Sequence, residues 1–256
     1  MKKKLPIIVV SLFAVLMLVL AGYIYSRFRN QNVKKVQIRI EQKNGKGFLT
    51  QQDIRSLFVV GDSIHHIKVK NLNLKRIKSE LSKDPYVENA DAFLNISGDL
   101  IVNVKEKVAL LRLVNYKEQS CYIDLKGSLF PLGKDYSERA LFVNGYIHAP
   151  LITGKSVQDS IYSKTLLPGL YDLAMKIYSN PFLNSEISQI FINSQGNVDL
   201  IPELGDFIIH FGNLDEKEIK LENLEAFYKQ ALVKEGWNKY NSINLAFTNQ
   251  VICTKK

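Results

Sequence analysis

The pattern of hydrophobic and polar positions begins with one long apolar segment near the N-terminus. Residues 5 to 25 include no charged residue, and they directly follow Lys2, Lys3 and Lys4. In a helix, these 21 residues extend about 31 Å, which matches the roughly 30 Å hydrocarbon core of a bilayer. Because no later apolar run approaches this length, the pattern predicts a single membrane-spanning helix.

A cleaved secretory signal is the main alternative for this segment. Such a signal has an apolar region of about 7 to 15 residues followed by small residues at a cleavage site. Here the apolar region is longer, and only residues 19 to 21, Val-Leu-Ala, resemble a cleavage site. A lipoprotein signal is excluded because Tyr23, not a cysteine, follows the small residues. An uncleaved anchor is therefore the favoured interpretation.

Positive charge flanks the segment on both sides, since Arg27, Arg29, Lys34 and Lys35 follow it. The positive-inside rule alone does not decide the orientation. We expect residues 1 to 4 to form a cytoplasmic head, 5 to 25 the anchor and 26 to 32 a juxtamembrane linker, with the bulk of the chain on the other side of the membrane. In that orientation the downstream part is exported behind an uncleaved signal.

Residues 33 to 107 show a β-α-α-β-β pattern that can bury one small core. Alternating apolar residues predict a strand over 33 to 40. Thr50 with Asp53 resembles a capping box for a short helix that Gly61 and Asp62 end, and Asn71 or Asn73 can cap a second helix that stops before Pro85. Two further strands, from 87 to 96 and from 100 onward, flank a turn at Ser97-Gly98-Asp99.

Residues 108 to 256 combine further strands with two helices. A helix over 158 to 178 is interrupted near Pro168, and a longer one over 216 to 235 is capped by Asp215 with Glu218 and ended by Gly236. A last strand with alternating Ile243, Leu245 and Phe247 continues through Val251 and Cys253. The other predicted strands are 121 to 125, 128 to 131, 141 to 143, 187 to 193, 197 to 201 and 206 to 211.

The net charge of +9 lies almost entirely beside the apolar segment. Residues 1 to 35 hold seven basic and no acidic residues, which leaves 27 basic against 25 acidic groups in the other 221 residues. A nucleic-acid binder needs a basic face, whereas basic residues beside a membrane meet anionic headgroups or set topology. We therefore expect a membrane protein that binds no nucleic acid.

Motifs for chemistry are sparse in this chain. Gly154-Lys155-Ser156 lacks the glycine that a phosphate-binding loop needs five residues earlier, where Ala149 stands. His65 and His66 are adjacent and form no metal-ligand spacing. Cys121 and Cys253 permit one disulfide or two free thiols, and a thiol nucleophile would need a spatial partner such as His148 or His210. We expect no catalytic residue, metal site, cofactor or small-molecule substrate.

The order of the elements and several short strings resemble the cell-division family FtsQ/DivIB. The strings are L-S-K-D-P-Y-V-E-N-A at 81 to 90, G-D-L-I-V-N-V-K-E at 98 to 106, Y-I-D-L-K-G-S-L-F at 122 to 130, and I-N-L-A-F-T-N-Q-V-I-C-T-K-K at 243 to 256. The last string is similar to forms from the Bacteroidetes. The resemblance covers almost the whole chain.

The resemblance implies an α+β fold with one transmembrane helix, a POTRA domain at 33 to 107, and a mixed β domain at 108 to 256 with a long C-terminal helix and a final edge strand. It implies a noncatalytic bitopic scaffold of the divisome that links septum assembly to septal peptidoglycan synthesis. The scaffold would lie in the inner membrane at the division septum, with both domains in the periplasm. Its partners would be FtsB-like and FtsL-like single-span proteins. Other division proteins would bind the POTRA domain, on a surface that the resemblance does not assign to residues.

An exposed edge strand can accept a partner strand through backbone hydrogen bonds. The residues expected to form this partner-binding edge are Ile243, Asn244, Leu245, Ala246, Phe247, Val251, Ile252 and Cys253. The family strand often carries an acidic string where Asn244, Leu245 and Ala246 stand here, so individual contacts do not carry over.

Two other functions stay open at the level of sequence. A POTRA-containing envelope protein could assist export or outer-membrane protein assembly, with the edge strand at 33 to 40 capturing unfolded chains. That role normally needs a downstream barrel or repeated modules, and neither pattern occurs. An anchored envelope enzyme is the third class, because isolated catalytic residues have no sequence signature.

Overall fold

The computed structural model describes residues 5 to 58, 67 to 247 and 250 to 256. The chain divides into two compact units, Met1–Glu106 and Lys107–Lys256. The predicted head at 1 to 4, the helix end at Gly61 and Asp62, and the pair His65 and His66 lie outside the described residues.

The first unit starts with helix α1, Leu5–Asn30. Its segment Val9–Asn30 has a mean hydropathy of 2.2, none of it is buried inside the protein, and among the described helices it is the one long and apolar enough to cross a membrane. The helix continues through residues 26 to 30, which the sequence placed in a linker. Arg27 and Arg29 therefore lie in its last turn.

The rest of the first unit has the predicted β-α-α-β-β order. Strand β1 (Val36–Glu41) lies parallel to β3 (Leu100–Glu106), which pairs on its other side with antiparallel β2 (Val87–Leu94). Helices α2 (Gln51–Phe58) and α3 (Leu74–Leu81) complete the unit. The sheet contributes one apolar face to a core with Ile54, Ile77 and Leu81 of the helices.

Both predicted helix caps of this unit are present. The Thr50 amide donates to the Asp53 carboxylate at 2.8 Å, and the Asp53 amide donates to the Thr50 hydroxyl at 3.2 Å, which is a capping box. This hydrogen bonding lowers the pKa of Asp53. Asn73, and not Asn71, caps α3 by accepting from the Arg76 amide at 2.9 Å.

Glu106, the last residue of β3, organises the loop after β1. Its buried carboxylate accepts hydrogen bonds from the Leu49 amide at 2.8 Å, the Phe48 amide at 3.1 Å and the Gln42 side chain at 2.7 Å. A Cβ at Gly47 would overlap this carboxylate. Removal of a buried acceptor that binds three donors strongly lowers the stability of the fold, because the donors lose their partner and are left desolvated.

We expect Glu106→Ala to lower the free energy of unfolding of the first unit by about 2 to 4 kcal/mol. The matched control is Glu41→Ala, an exposed carboxylate on β1, for which a change within about 0.5 kcal/mol is expected. Hydrogen exchange of the full chain would measure both. Equal protection of residues 42 to 49 in the two variants would contradict the anchoring role of Glu106.

The second unit is built on a nine-stranded mixed sheet with the order β12-β11-β10-β9-β8-β7-β4-β5-β6. Its helices are α4 (Leu167–Ser179), α5 (Pro181–Glu186) and α6 (Lys217–Phe227), and α6 continues through a π-helical turn, Tyr228–Leu232, into α7 (Val233–Glu235). The strands are β4 (Ala109–Val114), β5 (Ser120–Asp124), β6 (Leu129–Phe130), β7 (Leu141–Gly145), β8 (Ile187–Ile192), β9 (Val198–Pro202), β10 (Ile208–Gly212), β11 (Tyr240–Asn244) and β12 (Ile252–Lys255).

The predicted hairpin of the second unit is confirmed. Strands β5 and β6 pair antiparallel, and Gly127 adopts a φ of 80° in the turn between them. The buried Asp124 carboxylate accepts from the amides of Lys126 and Ser128, each at 2.8 Å. This aspartate is therefore a turn residue that bonds its own backbone, as hairpin aspartates usually do.

One predicted boundary in this unit was wrong, and two elements were not predicted at all. Strand β4 was not predicted, because its near-continuous apolar run is buried and shows no alternation. The helix predicted over 158 to 178 begins only at Leu167, since Pro168 lies in its first turn. Helix α5 was also not predicted, although Asn180 caps it by accepting from the amides of Phe182 and Leu183.

The start predicted for the long C-terminal helix was also wrong. The helix begins at Lys217, after Glu216 in a left-handed conformation with a φ of 51°. Glu218 does not close a capping box, because its carboxylate forms an ion pair with Lys176 of α4. The Asp215 carboxylate accepts instead from the Asn213 side chain at 2.6 Å. The predicted end is confirmed, since Gly236 follows α7 with a φ of 89°.

Candidate partner-binding edge

The edge of the large sheet is set by a crossover connection. Strands β10 and β11 are parallel, so the chain must cross one face of the sheet between them, and it does so through α6. Leu221, Leu224, Tyr228 and Leu232 of this helical segment are buried in the same core as Ile243 of β11. The buried Lys220 fixes the start of the crossover by donating to the Asn213 carbonyl at 2.9 Å, and desolvation lowers its pKa.

Ile243 and Asn244 do not lie on the sheet edge, which corrects the expected single strand through residue 253. They belong to β11, which has β10 on one side and antiparallel β12 on the other. Ile243 is fully buried, and Leu245 is 1% exposed and donates its amide to the His210 carbonyl at 2.8 Å. These residues therefore support the edge strand from inside the sheet and are not themselves accessible to a partner strand.

Strand β12 is the open edge among the described residues. The opposite edge, β6, is covered by a neighbouring segment, because the Leu129 amide donates to the Lys155 carbonyl and the Gly154 amide donates to the Leu129 carbonyl, both at 2.8 Å. No described strand lies on the outer side of β12.

The direction of the backbone groups of β12 follows from its alternation. The Lys256 amide donates to the Lys239 carbonyl at 3.0 Å, so it points toward β11. Successive residues of an antiparallel strand point alternately to opposite sides, which directs the backbone groups of Thr254 and Ile252 toward β11 as well. The N–H and C=O groups of Cys253 and Lys255 consequently point outward, where a partner strand would pair.

The predicted site residues separate into exposed and packed groups. Phe247 is 52% exposed and Ile252 is 44% exposed. Val251 and Cys253 are half-buried and pack against the core, whereas Ala246 is exposed near Gly212. The exposed apolar residues can give specificity to a partner strand.

Two exposed residues of this edge, and one exposed residue two strands away from it, were not predicted from the sequence. Thr254 and Lys255 are exposed on β12, and Ile208 of β10 is 43% exposed at the level of Ser242 and Thr254. A turn predicted between Leu245 and Val251 would have placed Thr254 and Lys255 on a separate edge strand. The exposure of Ile208 depends on which face the helices leave open, and that is a property of the tertiary structure.

The cysteines are far apart and cannot form the one possible disulfide. Cys121 lies on β5 and Cys253 on β12, seven strand-to-strand steps apart in the sheet, or about 33 Å at the usual strand spacing. A disulfide needs Cα atoms within about 7 Å. Both thiols are free, and burial raises the pKa of Cys121 to about 12 and also raises the pKa of Cys253.

The structure does not support a cysteine nucleophile paired with His210. Cys253 pairs directly with the buried Ile243, whereas His210 pairs with the next residue, Asn244, so the two side chains project from opposite faces of the sheet. His210 Nδ1 lies 2.7 Å from Asp199 Oδ1. The other candidate, His148, packs against the Tyr116 ring with 5.0 Å between ring centroids.

Two family models match the chain, and together they span both compact units. A model described as POTRA-like domain matches residues 31 to 105. A model described as FtsQ/DivIB, C-terminal related, matches residues 109 to 254, more than half of the chain. The chain belongs to the FtsQ/DivIB family. No curated protein matches it.

Membership of the FtsQ/DivIB family bears on several expectations from the sequence. The α+β fold with an apolar N-terminal helix, a POTRA-like domain, a mixed sheet and a C-terminal edge strand is confirmed. The two domains support a general role as a cell-division scaffold, and the family is one of non-enzymatic division proteins. The single apolar helix suggests a single-pass membrane protein, and the family suggests the division septum as its location.

The thiols give a direct test of the sheet order. In the native chain we expect Cys121 not to react with a thiol reagent at pH 8 and Cys253 to react slowly, because the raised pKa of each leaves less thiolate than an ordinary cysteine has. The rate at Cys253 should rise as the pH is raised beyond the ordinary thiol range. Mass spectrometry before and after unfolding measures both sites. A native Cys121–Cys253 crosslink would contradict the strand order.

Proposed function

We propose that this FtsQ/DivIB protein is a bitopic scaffold of the divisome that binds FtsB-like and FtsL-like single-span proteins through strand β12. The head is cytoplasmic, α1 is an uncleaved anchor and the two domains lie in the periplasm. By holding these partners at the septum, the protein links septum assembly to septal peptidoglycan synthesis. Other division proteins bind the POTRA-like domain.

The outward-facing backbone of β12 carries this proposal. Cys253 and Lys255 direct their N–H and C=O groups away from β11, as the bond from the Lys256 amide to the Lys239 carbonyl implies. A partner strand would satisfy these groups and extend the sheet. The exposed Phe247 and Ile252 lie beside this edge and would contact alternate side chains of the partner.

The export function would use β1 as its binding edge, and that edge is partly occupied. The Gln51 side chain, in the first turn of α2, donates to the Ile38 carbonyl at 3.4 Å. A captured chain would have to displace this contact before it could pair along β1. This observation favours the scaffold, whose binding edge β12 has no described strand on its outer side.

Depletion of the protein distinguishes the two functions in cells. For a divisome scaffold we expect long filaments with segregated nucleoids and no septa, measured by microscopy of membrane and DNA stains. Normal cell length together with loss of outer-membrane proteins would contradict the scaffold function and favour export.

A proline at Lys255 tests the outward backbone of β12. Lys255→Pro removes one outward N–H and leaves the bonds to β11 in place, so the affinity for the division partners should fall about three- to tenfold. The control Lys255→Ala removes the side chain and keeps the N–H, and its affinity should stay near that of the wild type. Co-purification and titration of full-length proteins measure both. Equal binding by the two variants would contradict strand addition at β12.

A short truncation separates the edge from the core that supports it. Removal of residues 251 to 256 deletes β12 and leaves β11 paired with β10, whereas removal of 243 to 256 also deletes the buried Ile243 and Leu245. We expect the short truncation to abolish partner binding while circular dichroism shows the remaining fold intact. Retained binding would place the partner site elsewhere.

A further inference from the structure

The end of the first unit nearest the exit of α1 is built from three chain segments, and backbone hydrogen bonds fix the first two together. The Val69 amide donates to the Gln31 carbonyl at 2.9 Å, and the Val33 amide donates to the Ile67 carbonyl at 3.0 Å. Between these bonds, Asn32 and Lys68 form an antiparallel bridge. Residues 67 to 71 are therefore held directly against the end of α1.

The third segment is the turn between β2 and β3, residues 95 to 99. The Lys34 amide donates to the Gly98 carbonyl at 3.0 Å, and the Leu100 amide donates to the Lys35 carbonyl at 2.8 Å. This turn carries Ile96, whose side chain is 97% exposed. A fully exposed isoleucine at a turn has no packing role in its own domain.

Basic residues dominate these segments. The exposed basic side chains, here called the basic collar, are Arg27, Arg29, Lys34, Lys35, Lys68 and Lys70. The sequence has no acidic residue before Glu41 and none from 67 to 79. In the turn, the one acidic residue is Asp99, whose carboxylate accepts from the Asn95 side chain at 3.0 Å. The sequence of these segments therefore has a clear excess of basic over acidic residues.

We propose that the basic collar and Ile96 form a peripheral membrane-binding surface for anionic phospholipids. The lysines of the collar bind headgroup phosphates, and Ile96 inserts among the headgroups. This inference rests on the retained anchor of the proposed function, because α1 brings its own end to the bilayer surface. Basic residues with an adjacent apolar side chain are typical of interfacial membrane binding. The proposal holds for either orientation of α1, since the collar lies at the C-terminal end of the helix and in the segments that follow it.

The aromatic residues at the end of α1 fit the same surface. The Arg27 guanidinium donates to the Tyr23 hydroxyl at 3.3 Å, and the Arg29 guanidinium lies 5.6 Å from the centroid of the Tyr25 ring. Tyrosines concentrate at the headgroup level of membranes. Lys68 and Lys70, which lie more than thirty residues farther along the sequence, are brought to this level by the bonds to Gln31 and Val33.

The test uses the full chain in lipid nanodiscs. A bimane label is attached at Ile96→Cys in a Cys253→Ser chain, where the remaining Cys121 is buried, and quenching by lipids with a spin label near the headgroup is measured. The nanodiscs contain phosphatidylcholine alone or a 7:3 mixture with phosphatidylglycerol. We expect quenching at 96 to be at least about threefold stronger in the anionic discs. The control label is placed at Lys46→Cys, beyond the other end of β1, and should show no such difference.

A charge reversal tests the lysines. Lys68→Glu with Lys70→Glu should remove the enhancement by phosphatidylglycerol, whereas the matched reversal of exposed Lys46 and Lys134 should preserve it. Circular dichroism checks that both double variants fold. The comparison of the two lipids in the labelled chain without charge reversal tests the membrane-binding surface independently of these variants. Equal quenching of the label at position 96 in both lipids would overturn the proposal, as would an absence of quenching in both. Contact of residue 96 with a division partner in place of lipid would also overturn it.

The failure of this inference can be told apart from failure of the proposed function. N-terminal sequencing of the reconstituted chain shows whether α1 is retained. A cleaved chain would contradict the anchor on which both proposals depend. A retained anchor, intact partner binding and an unquenched label at 96 would contradict the membrane-binding surface alone.

Discussion

The packing of α6 against the sheet determines where the second unit ends. Two parallel neighbours such as β10 and β11 cannot be joined by a tight turn, so the intervening chain has to cover one sheet face. Burial of Leu224, Tyr228 and Leu232 beside Ile243 keeps this crossover closed and places β11 inside the sheet. The hairpin that follows then adds β12 beside β11, and β12 is the open edge of this sheet among the described residues.

Much of the first unit could be predicted because its signals are local. Alternation in β1, the pairing of Thr50 with Asp53 and the Asn73 cap all depend on residues a few positions apart. Glu106 is different, because its donors lie about sixty residues earlier in the chain. The string G-D-L-I-V-N-V-K-E ends in this glutamate, but it does not predict which hydrogen-bond donors the carboxylate contacts.

The candidate edge was predicted in the right part of the chain with the wrong local structure. Ile243, Leu245 and Phe247 alternate as in one long strand, and Val251 and Cys253 continue the same spacing. In the structure Ile243 is buried on β11 and Leu245 is buried directly after that strand, whereas Val251 and Cys253 pack on the core after the chain has reversed. An alternating pattern indicates which residues point to the same face of a sheet. Two strands of a hairpin that bury the same face give the same pattern as one long strand, so alternation does not distinguish the two. Glu218 shows the same limit for helices, since its ion pair with Lys176 of α4 replaced the cap that its spacing predicts.

The length of β12 constrains the strength and the lifetime of any complex formed there. Only two of the four residues of β12 direct their backbone groups outward. Each hydrogen bond to a partner strand replaces a hydrogen bond to water, so a few such bonds contribute only a modest free energy of binding. Such a contact dissociates readily when both proteins diffuse in three dimensions. Confinement of both partners to one membrane raises their effective concentration, and multivalent contacts raise it further. A short edge strand on a membrane anchor therefore suits an assembly that forms where its components accumulate and dissolves when they disperse.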